Sequence, residues 1–371
     1  MFQTQEFLRR SVKEQEGNES VARAFVRYGE ELWGKVRPDL IPIQTVERVL
    51  RRWNAFVSGQ GRNGEQLIWV ESFRNHTAMS ALHNDEMREE FLAMVYLLNV
   101  VITGSADPEH PAFLLILNGT GASREHLDER FGHIGLELVA SIVPDGFKGV
   151  VVWNVAIWIR LFIAGIKAFF PKSWHSRIQL TGRDPSDVLF RLVPLDQLPV
   201  RWGGHVPDHL CCTEVFIEAQ KRKELHDHVI TRPVEEILDP RLTWAVWTYA
   251  WPACECPNAV LSGRLQKQGR LVKLFRDFFC VLTHDALLYY HHPEDKLPHG
   301  RADLRDAQLH VGPHEVDGSA TSKSVRAHGF VIATPLCSYL FLAHSDVERD
   351  QWCEAIQRTI TALTTSVPPP T

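Results

Sequence analysis

The sequence predicts an α/β domain with a helical N-terminal portion, joined to a small C-terminal β-barrel capped by one helix. Three observations carry that expectation. From Leu67 to about Val200, short apolar runs alternate with helical-period segments, the pattern of a sheet with parallel pairs. From Leu261 onward the texture becomes short strands punctuated by turn clusters. A single long helical segment, Asp346 to Thr364, then closes the patterned chain. With 371 residues, 44% hydrophobic and 23% charged, there is material for more than one core.

Taken in order, residues 1–62 read as a helical portion, with amphipathic stretches at Glu19 to Gly34 and Gln44 to Phe56 separated by the Pro38 to Pro42 breaker. Residues 63–205 hold the alternation. Leu67 to Val70 reads as a strand, Asp85 to Val101 as a helix, Phe113 to Leu117 as a buried strand and Ser123 to Val143 as a helix. Val150 to Trp153 is a β-branched strand, and Ile157 to Phe170 a helix ended by Pro171. Residues 206–260 form an inter-domain segment with a charged helical run, Glu214 to Leu225, and three tryptophans, Trp244, Trp247 and Trp251. Residues 261–365 form the barrel, and 366–371 a tail.

Composition narrows the function. A formal charge of −5 gives no global attraction to nucleic acid, so any anion-binding surface is local. Seven irregularly placed cysteines and no basic-then-apolar leader fit a reduced, cytosolic protein. Phe2 after the initiator and a Pro-Pro-Pro-Thr end fit neither myristoylation nor prenylation. The apolar run Gly149 to Phe170 approaches the length of a membrane span, but Arg160 and Lys167 inside it cost a few kcal/mol each. No zinc-protease or nucleophile-elbow motif occurs, so no enzyme is expected. Gly119-Thr120-Gly121 lacks the Gly-Lys-Ser/Thr of a phosphate loop and reads as a strand-end turn. His209, Cys211, Cys212, Cys254 and Cys256 lack knuckle spacing, so neither a metal nor another cofactor is expected, apart from bound lipid.

Two resemblances sharpen this reading. Val143-Pro144-Asp145, Val150-Val151-Val152-Trp153-Asn154, Phe169-Phe170-Pro171, Arg177 to Gly182, and Leu198-Pro199-Val200-Arg201-Trp202-Gly203-Gly204 occur in order. Together they resemble the second half of a CRAL-TRIO domain, the lipid-binding fold of phosphatidylinositol and phosphatidylcholine transfer proteins. The resemblance implies a dry cavity for acyl chains, each buried CH₂ contributing about 0.8 kcal/mol. Its floor would be Leu115, Leu117, Val151 and Trp153. Its gate would be the helix 157–170, with Trp158, Leu161, Phe162, Ile166 and Phe169 touching acyl chains or membrane. Periodicity alone favours an ordinary buried core helix, and the resemblance reverses that preference. Arg160 and Lys167 share one helix face and would meet lipid phosphates. Asp145 and Arg177 occupy the positions that hold inositol in phosphatidylinositol-binding members.

Leu261 to Gly269, Arg276 to Leu282 and Ala286 to Tyr290, with Trp352 in the closing helix, resemble a PH domain, closest to the cytohesin type through Asp295 to Gly300. The resemblance implies an inositol-phosphate site on the first strands, with Lys267, Lys273, Arg276 and Tyr289 as its anion patch. The arginine usual two positions after Arg276 is here Phe278. Residues 261–276 carry five basic and no acidic side chains, which reads either as a membrane-attracting patch or as a protected strand edge. A lipid pocket followed by a PH domain is similar to the lipid-binding module within neurofibromin. The implied function is non-enzymatic lipid binding or exchange. Its partners would be a phospholipid or other apolar lipid, the cytoplasmic membrane surface and proteins met through the PH domain, with no nucleic acid. The other reading is a protein-interaction scaffold whose folds no longer bind lipid.

Overall fold

A computed structural model describes residues 5–15, 17–71, 84–108, 110–123, 138–157, 159–160, 163, 172–226, 252–256, 258–269, 274–295, 298–311, 328–334 and 338–365. The chain divides into two units, Met1–Thr243 and Trp244–Thr371.

The first unit opens with α1 (Gln5–Glu14), α2 (Glu19–Val36) and α3 (Ile43–Trp53). In α3, Ile43, Val46, Val49, Leu50 and Trp53 recur at helical spacing and are buried. The helix stops at Asn54, whose left-handed φ of 47° is one that asparagine tolerates, and the chain reverses into a strand. That strand, β1 (Ala55–Gln60), departs from the expected helix 44–56 and starts the sheet ahead of residue 63. It pairs antiparallel with β2 (Gln66–Val70). After α4 (Asn84–Gly104) come β3 (Phe113–Asn118), β4 (Phe147–Trp153) and β5 (Ile178–Leu180). The sheet order is β1-β2-β3-β4-β5, with every pair from β2 to β5 parallel. Short helices α5 (Lys172–His175) and α6 (Ser186–Leu192) flank β5. Next, α7 (Thr213–His226) packs on α3 and β1, so the front of the segment 206–260 belongs to this unit. Trp244, Trp247 and Trp251 lie outside the described residues, as do 124–137 of the expected helix 123–143.

Register sorts the apolar side chains. Paired residues point to the same face, and neighbours along a strand to opposite faces. Phe56, Trp69, Ile116, Val151 and Trp153 therefore share one face, and all are fully buried. Phe56 and Trp69 stack at 6.1 Å, and the edge of Trp202 meets Trp153 at 5.0 Å. Ile68, Val70, Leu115, Leu117, Val150, Val152, Ile178 and Leu180 share the other face.

The Leu198 to Gly204 motif caps the first of these faces. Arg201 bonds Glu71, Asp208 and the Cys211 carbonyl. Gly203 adopts φ 83°, and a Cβ on Gly204 would lie 2.0 Å from the Leu198 carbonyl oxygen. Only glycine fits there.

The second unit holds β6 (Leu261–Gln268), β7 (Phe275–Leu282), β8 (Ala286–Tyr290), β9 (Gly300–Asp303), β10 (Gln308–Val311), β11 (Gly329–Ala333), β12 (Ser338–Leu342) and α8 (Asp346–Thr365). The sheet runs β10-β11-β12-β6-β7-β8-β9, antiparallel throughout. Ala302 of β9 and Phe330 of β11, far apart in that order, share one core with Leu265, Phe341, Trp352 and Ile356. The sheet therefore curls around α8. Residues 253–256 join this unit, with Ala253 and Cys256 packed on Val281, Leu288 and Tyr290.

Removing the Trp352 ring leaves a cavity in that core. We expect Trp352→Ala to destabilise the second unit by about 3–5 kcal/mol. Hydrogen exchange of the full chain in urea, read peptide by peptide, should show protection lost in β6–β12 and kept in β1–β5.

Candidate lipid-binding sites

The open face of the first sheet is the larger candidate. On this face Ile68 and Val70 of β2 and Val150 and Val152 of β4 are buried. Leu115 and Leu117 on the interior strand β3, and Ile178 and Leu180 on the edge strand β5, are partly exposed. At the C-terminal ends of these strands sits a polar rim. Asn118 accepts from the Thr120 backbone N–H at 3.1 Å and from its hydroxyl at 2.7 Å. The Asn154 amide donates to the Thr120 hydroxyl at 2.5 Å. Arg160 donates to the Thr181 carbonyl, and the buried Thr181 hydroxyl has no hydrogen-bond partner among the described residues. Ile157 projects beside this rim, 72% exposed.

At the opposite ends of the strands lies a charged cluster built with α1. Asp145 receives Lys13 Nζ at 2.8 Å, Arg177 at 3.5 Å and Lys148 at 3.8 Å. Glu14 accepts the Asp145 backbone N–H at 2.9 Å and Trp174 Nε1–H at 2.8 Å, and Arg10 donates to the Pro144 carbonyl at 2.6 Å. Burial raises the Glu14 carboxyl above its ordinary range. Burial pulls Asp145 the same way, but the Lys13 hydrogen bond and the charges of Lys148 and Arg177 outweigh it and hold that carboxyl below its ordinary range.

In the second unit the mouth of the curled sheet gathers a second candidate. The register pairs Lys267 with Arg276 and Cys280 with Tyr289, all on the inner face. Lys267 is 8% exposed, with Nζ 4.7 Å from the Tyr289 ring centre and 5.6 Å from that of Tyr339. Arg276 is exposed. Phe278 is 4% exposed and fills the space beside Tyr289, with ring centres 5.3 Å apart.

The family model of the CRAL/TRIO domain matches residues 50–204, and that of the PH domain matches 259–361. The chain is a CRAL/TRIO domain followed by a PH domain. The two domains make lipid binding and membrane association its functional class.

Relatives match over shorter stretches. Sterol 3-beta-glucosyltransferases of Neosartorya fischeri and Gibberella zeae are 30% and 31% identical over 113 residues, which is 30% of this chain and 8% and 7% of those proteins. The ankyrin repeat, PH and SEC7 domain containing protein secG of Dictyostelium discoideum is 25% identical over 107 residues, 27% of this chain and 11% of that protein. The matches thus span about a tenth or less of these relatives' length. Among solved structures, the carboxyl-terminal PH domain of pleckstrin matches at 25% identity and TM-score 0.23, over 28% of this chain and 96% of that one. The same domain of human pleckstrin matches at 28% identity and TM-score 0.25, over 28% and 90%.

The structure sorts the residues singled out in the CRAL/TRIO domain. Leu115 and Leu117 line the open face, whereas Val151 and Trp153 face the other way, Trp153 being 1% exposed beneath Trp202. The proposed floor thus divides between two faces, because β4 is apolar at every position from Val150 to Trp153 and its alternation is hidden. Asp145 and Arg177 do meet, but at the start of β4, whose seven residues, roughly 20 Å in length, separate them from Arg160 beyond its end. They bind α1 and do not share a head-group site with Arg160. Ile157, Ile159, Arg160 and Ile163 are helical. Trp158, Leu161, Phe162, Ile166, Lys167 and Phe169 lie outside the described residues. Among the described residues no helix is long and apolar enough to cross a membrane.

In the PH domain Lys267, Arg276 and Tyr289 come together, and Lys273 lies outside the described residues. The unassigned partners at the two sites are Thr181, Tyr339 and a pair of histidines, His291 and His299. Only Tyr289 and the basic residues carried a local sequence signal.

The ion pairs of Asp145 set a pH dependence. With its folded pKa held below the unfolded one, Asp145 stabilises above the ordinary carboxylate range and loses that contribution as pH falls through the folded value. Asp145→Asn should cost about 1 kcal/mol at neutral pH, the scale of partly exposed pairs. Urea midpoints should converge with those of the parent protein as pH falls below the carboxylate range. A gap that persists in acid would show that the charge is not the cause.

Proposed function

We propose that the chain is a non-catalytic lipid sensor or exchange protein. It takes a phospholipid or other apolar lipid against the open face of the CRAL/TRIO sheet and uses the PH domain for reversible association with an anionic, cytoplasmic membrane surface. The observation that carries this reading is the pair Leu115 and Leu117, left partly exposed on the interior strand β3 of a parallel sheet, with Ile178 and Leu180 partly exposed on the edge strand of the same face. Parallel sheets are normally covered on both faces. An acyl chain laid on these side chains gains about 0.8 kcal/mol for each CH₂ removed from water.

The rim supports a head group above the chains. Asn118, Thr120, Asn154, Arg160 and Thr181 offer amides, hydroxyls and a guanidinium, which hydrogen-bond but do not exchange protons at neutral pH. The Thr181 hydroxyl, without a hydrogen-bond partner among the described residues, can accept from and donate to a ligand or water. This composition favours holding a lipid over transforming one. The buried ammonium of Lys267, capped by two tyrosines, and the phenylalanine at 278 favour weak, charge-driven attraction by the PH mouth.

Mass spectrometry of organic extracts tests the first arm. A lipid should co-purify in near-stoichiometric amount with the parent chain and be lost from Leu117→Trp, which fills the floor with an apolar ring, while the melting temperature stays within a few degrees. The absence of lipid from both folded proteins would favour the scaffold reading.

A further inference from the structure

The mouth of the PH barrel contains a cluster that its basic residues do not explain. Ring contacts run from Tyr289, edge-on to Phe278, to two histidines stacked on the Phe278 ring. His291 lies 29° from the Phe278 plane at 5.1 Å, and His299 lies 28° from it at 5.3 Å. The two imidazoles are 4.4 Å apart, and His299 is 6.0 Å from Tyr289, the ring over which Lys267 Nζ sits. The alternation that puts Tyr289 on the inner face of β8 puts His291 there too, one residue past the strand end. His299 is held by its backbone, its N–H donating to the Tyr289 carbonyl at 2.7 Å. His291 is exposed and His299 half-buried, so both border solvent at the mouth.

Resting on the membrane-association reading above, we propose that His291 and His299 contact the ligand at the PH mouth. On protonation they supply the positive charge that the side chain at 278 does not, for a multiply phosphorylated head group. Phe278 positions them, because both imidazoles lean on its ring.

The described groups around the pair set the sign. From β6 comes Lys267, from β7 Arg276 and the buried Cys280 thiol, from β8 the Tyr289 phenol and from β12 Tyr339. On the turn itself are His292, Glu294 and Asp295, the last accepting from the His292 backbone N–H at 2.9 Å. Arg301 of β9 is taken up by Asp285 at 2.8 Å. A second and third positive charge beside Lys267 and Arg276 is opposed until a polyanion arrives. Phosphoryl oxygens then relieve that repulsion and accept hydrogen bonds from the imidazolium N–H groups. Binding is therefore coupled to proton uptake, and affinity rises as pH falls through the range where histidine titrates.

Co-sedimentation of the full chain with phosphatidylcholine vesicles containing phosphatidylinositol 4,5-bisphosphate, at about pH 5.5 and about pH 7.5, reads this coupling. One unit of coupled titration predicts about tenfold tighter binding at the lower pH. His291→Gln with His299→Gln should remove that difference. Phe278→Arg should tighten binding at neutral pH. Repeating the titration with soluble inositol 1,4,5-trisphosphate separates head-group recognition from bilayer attraction, since the same pH dependence with the soluble ligand locates the coupling in the mouth. A pH dependence retained in the double histidine variant, or binding equal at both pH values, overturns the histidine proposal alone. Absence of vesicle binding at either pH, with Phe278→Arg folded, overturns both it and the PH part of the membrane reading.

Discussion

The parallel register of β2 through β5 is the constraint on which the first unit depends. It aligns Ile116 with Val151 and Leu115 with Val150, committing every apolar side chain of the central strands to one of two faces. One face is filled by aromatic rings: Phe56 on Trp69 and Trp153 under Trp202. The other holds aliphatic side chains, buried at Ile68, Val70, Val150 and Val152 and partly exposed at Leu115, Leu117, Ile178 and Leu180. A surface of leucine, valine and isoleucine offers dispersion contacts without polar direction, which suits a chain of methylenes better than a ligand requiring fixed hydrogen bonds. The register thus separates the part of the sheet that holds the fold together from the part available to cargo.

The second unit meets a different demand, placing positive charge at the rim of a packed core. Lys267 lies in the inner row of β6 with Leu265, and its stem is buried while its ammonium lies over two tyrosine rings. An aromatic face partly compensates for lost hydration, which lowers the cost of holding the charge at the mouth. Phe278 next to it extends the core outward. The same ring that removes a guanidinium from the site provides the surface on which His291 and His299 stack.

The sequence made the strands legible wherever a short apolar run stood between turn residues, as at Gln66–Val70, Phe113–Asn118 and Ala286–Tyr290. It did not reveal β1, because Val49 and Leu50 continue into Ala55 and Phe56 with helical spacing, and the reversal depends on the left-handed backbone of Asn54. It did not separate the faces of β4, where Val150, Val151, Val152 and Trp153 are apolar in succession. Nor did it join Asp145 to α1, since Lys13 and Glu14 stand more than 130 residues away in the chain and no local pattern encodes such a contact. The basic residues of the PH mouth were readable from spacing. The histidine pair was not, because its two members are not adjacent in the chain and meet on the Phe278 ring of β7.

The two ends of the first sheet differ in the kind of polar groups they gather. At the strand starts, Asp145 and Glu14 are met by Lys13, Arg177, Trp174 and backbone N–H groups, so that end is closed and binds α1. At the strand ends, an Asn118–Thr120–Asn154 chain and Arg160 border a buried hydroxyl with no partner among the described residues, next to an exposed isoleucine. In open α/β sheets ligands bind outside the carboxyl ends of the strands, and here that is the end where Asn118, Thr120, Asn154, Arg160 and Thr181 gather, beside the partly exposed Leu117 and Leu180. A phospholipid has the matching division, a polar head for the rim and apolar chains for the floor.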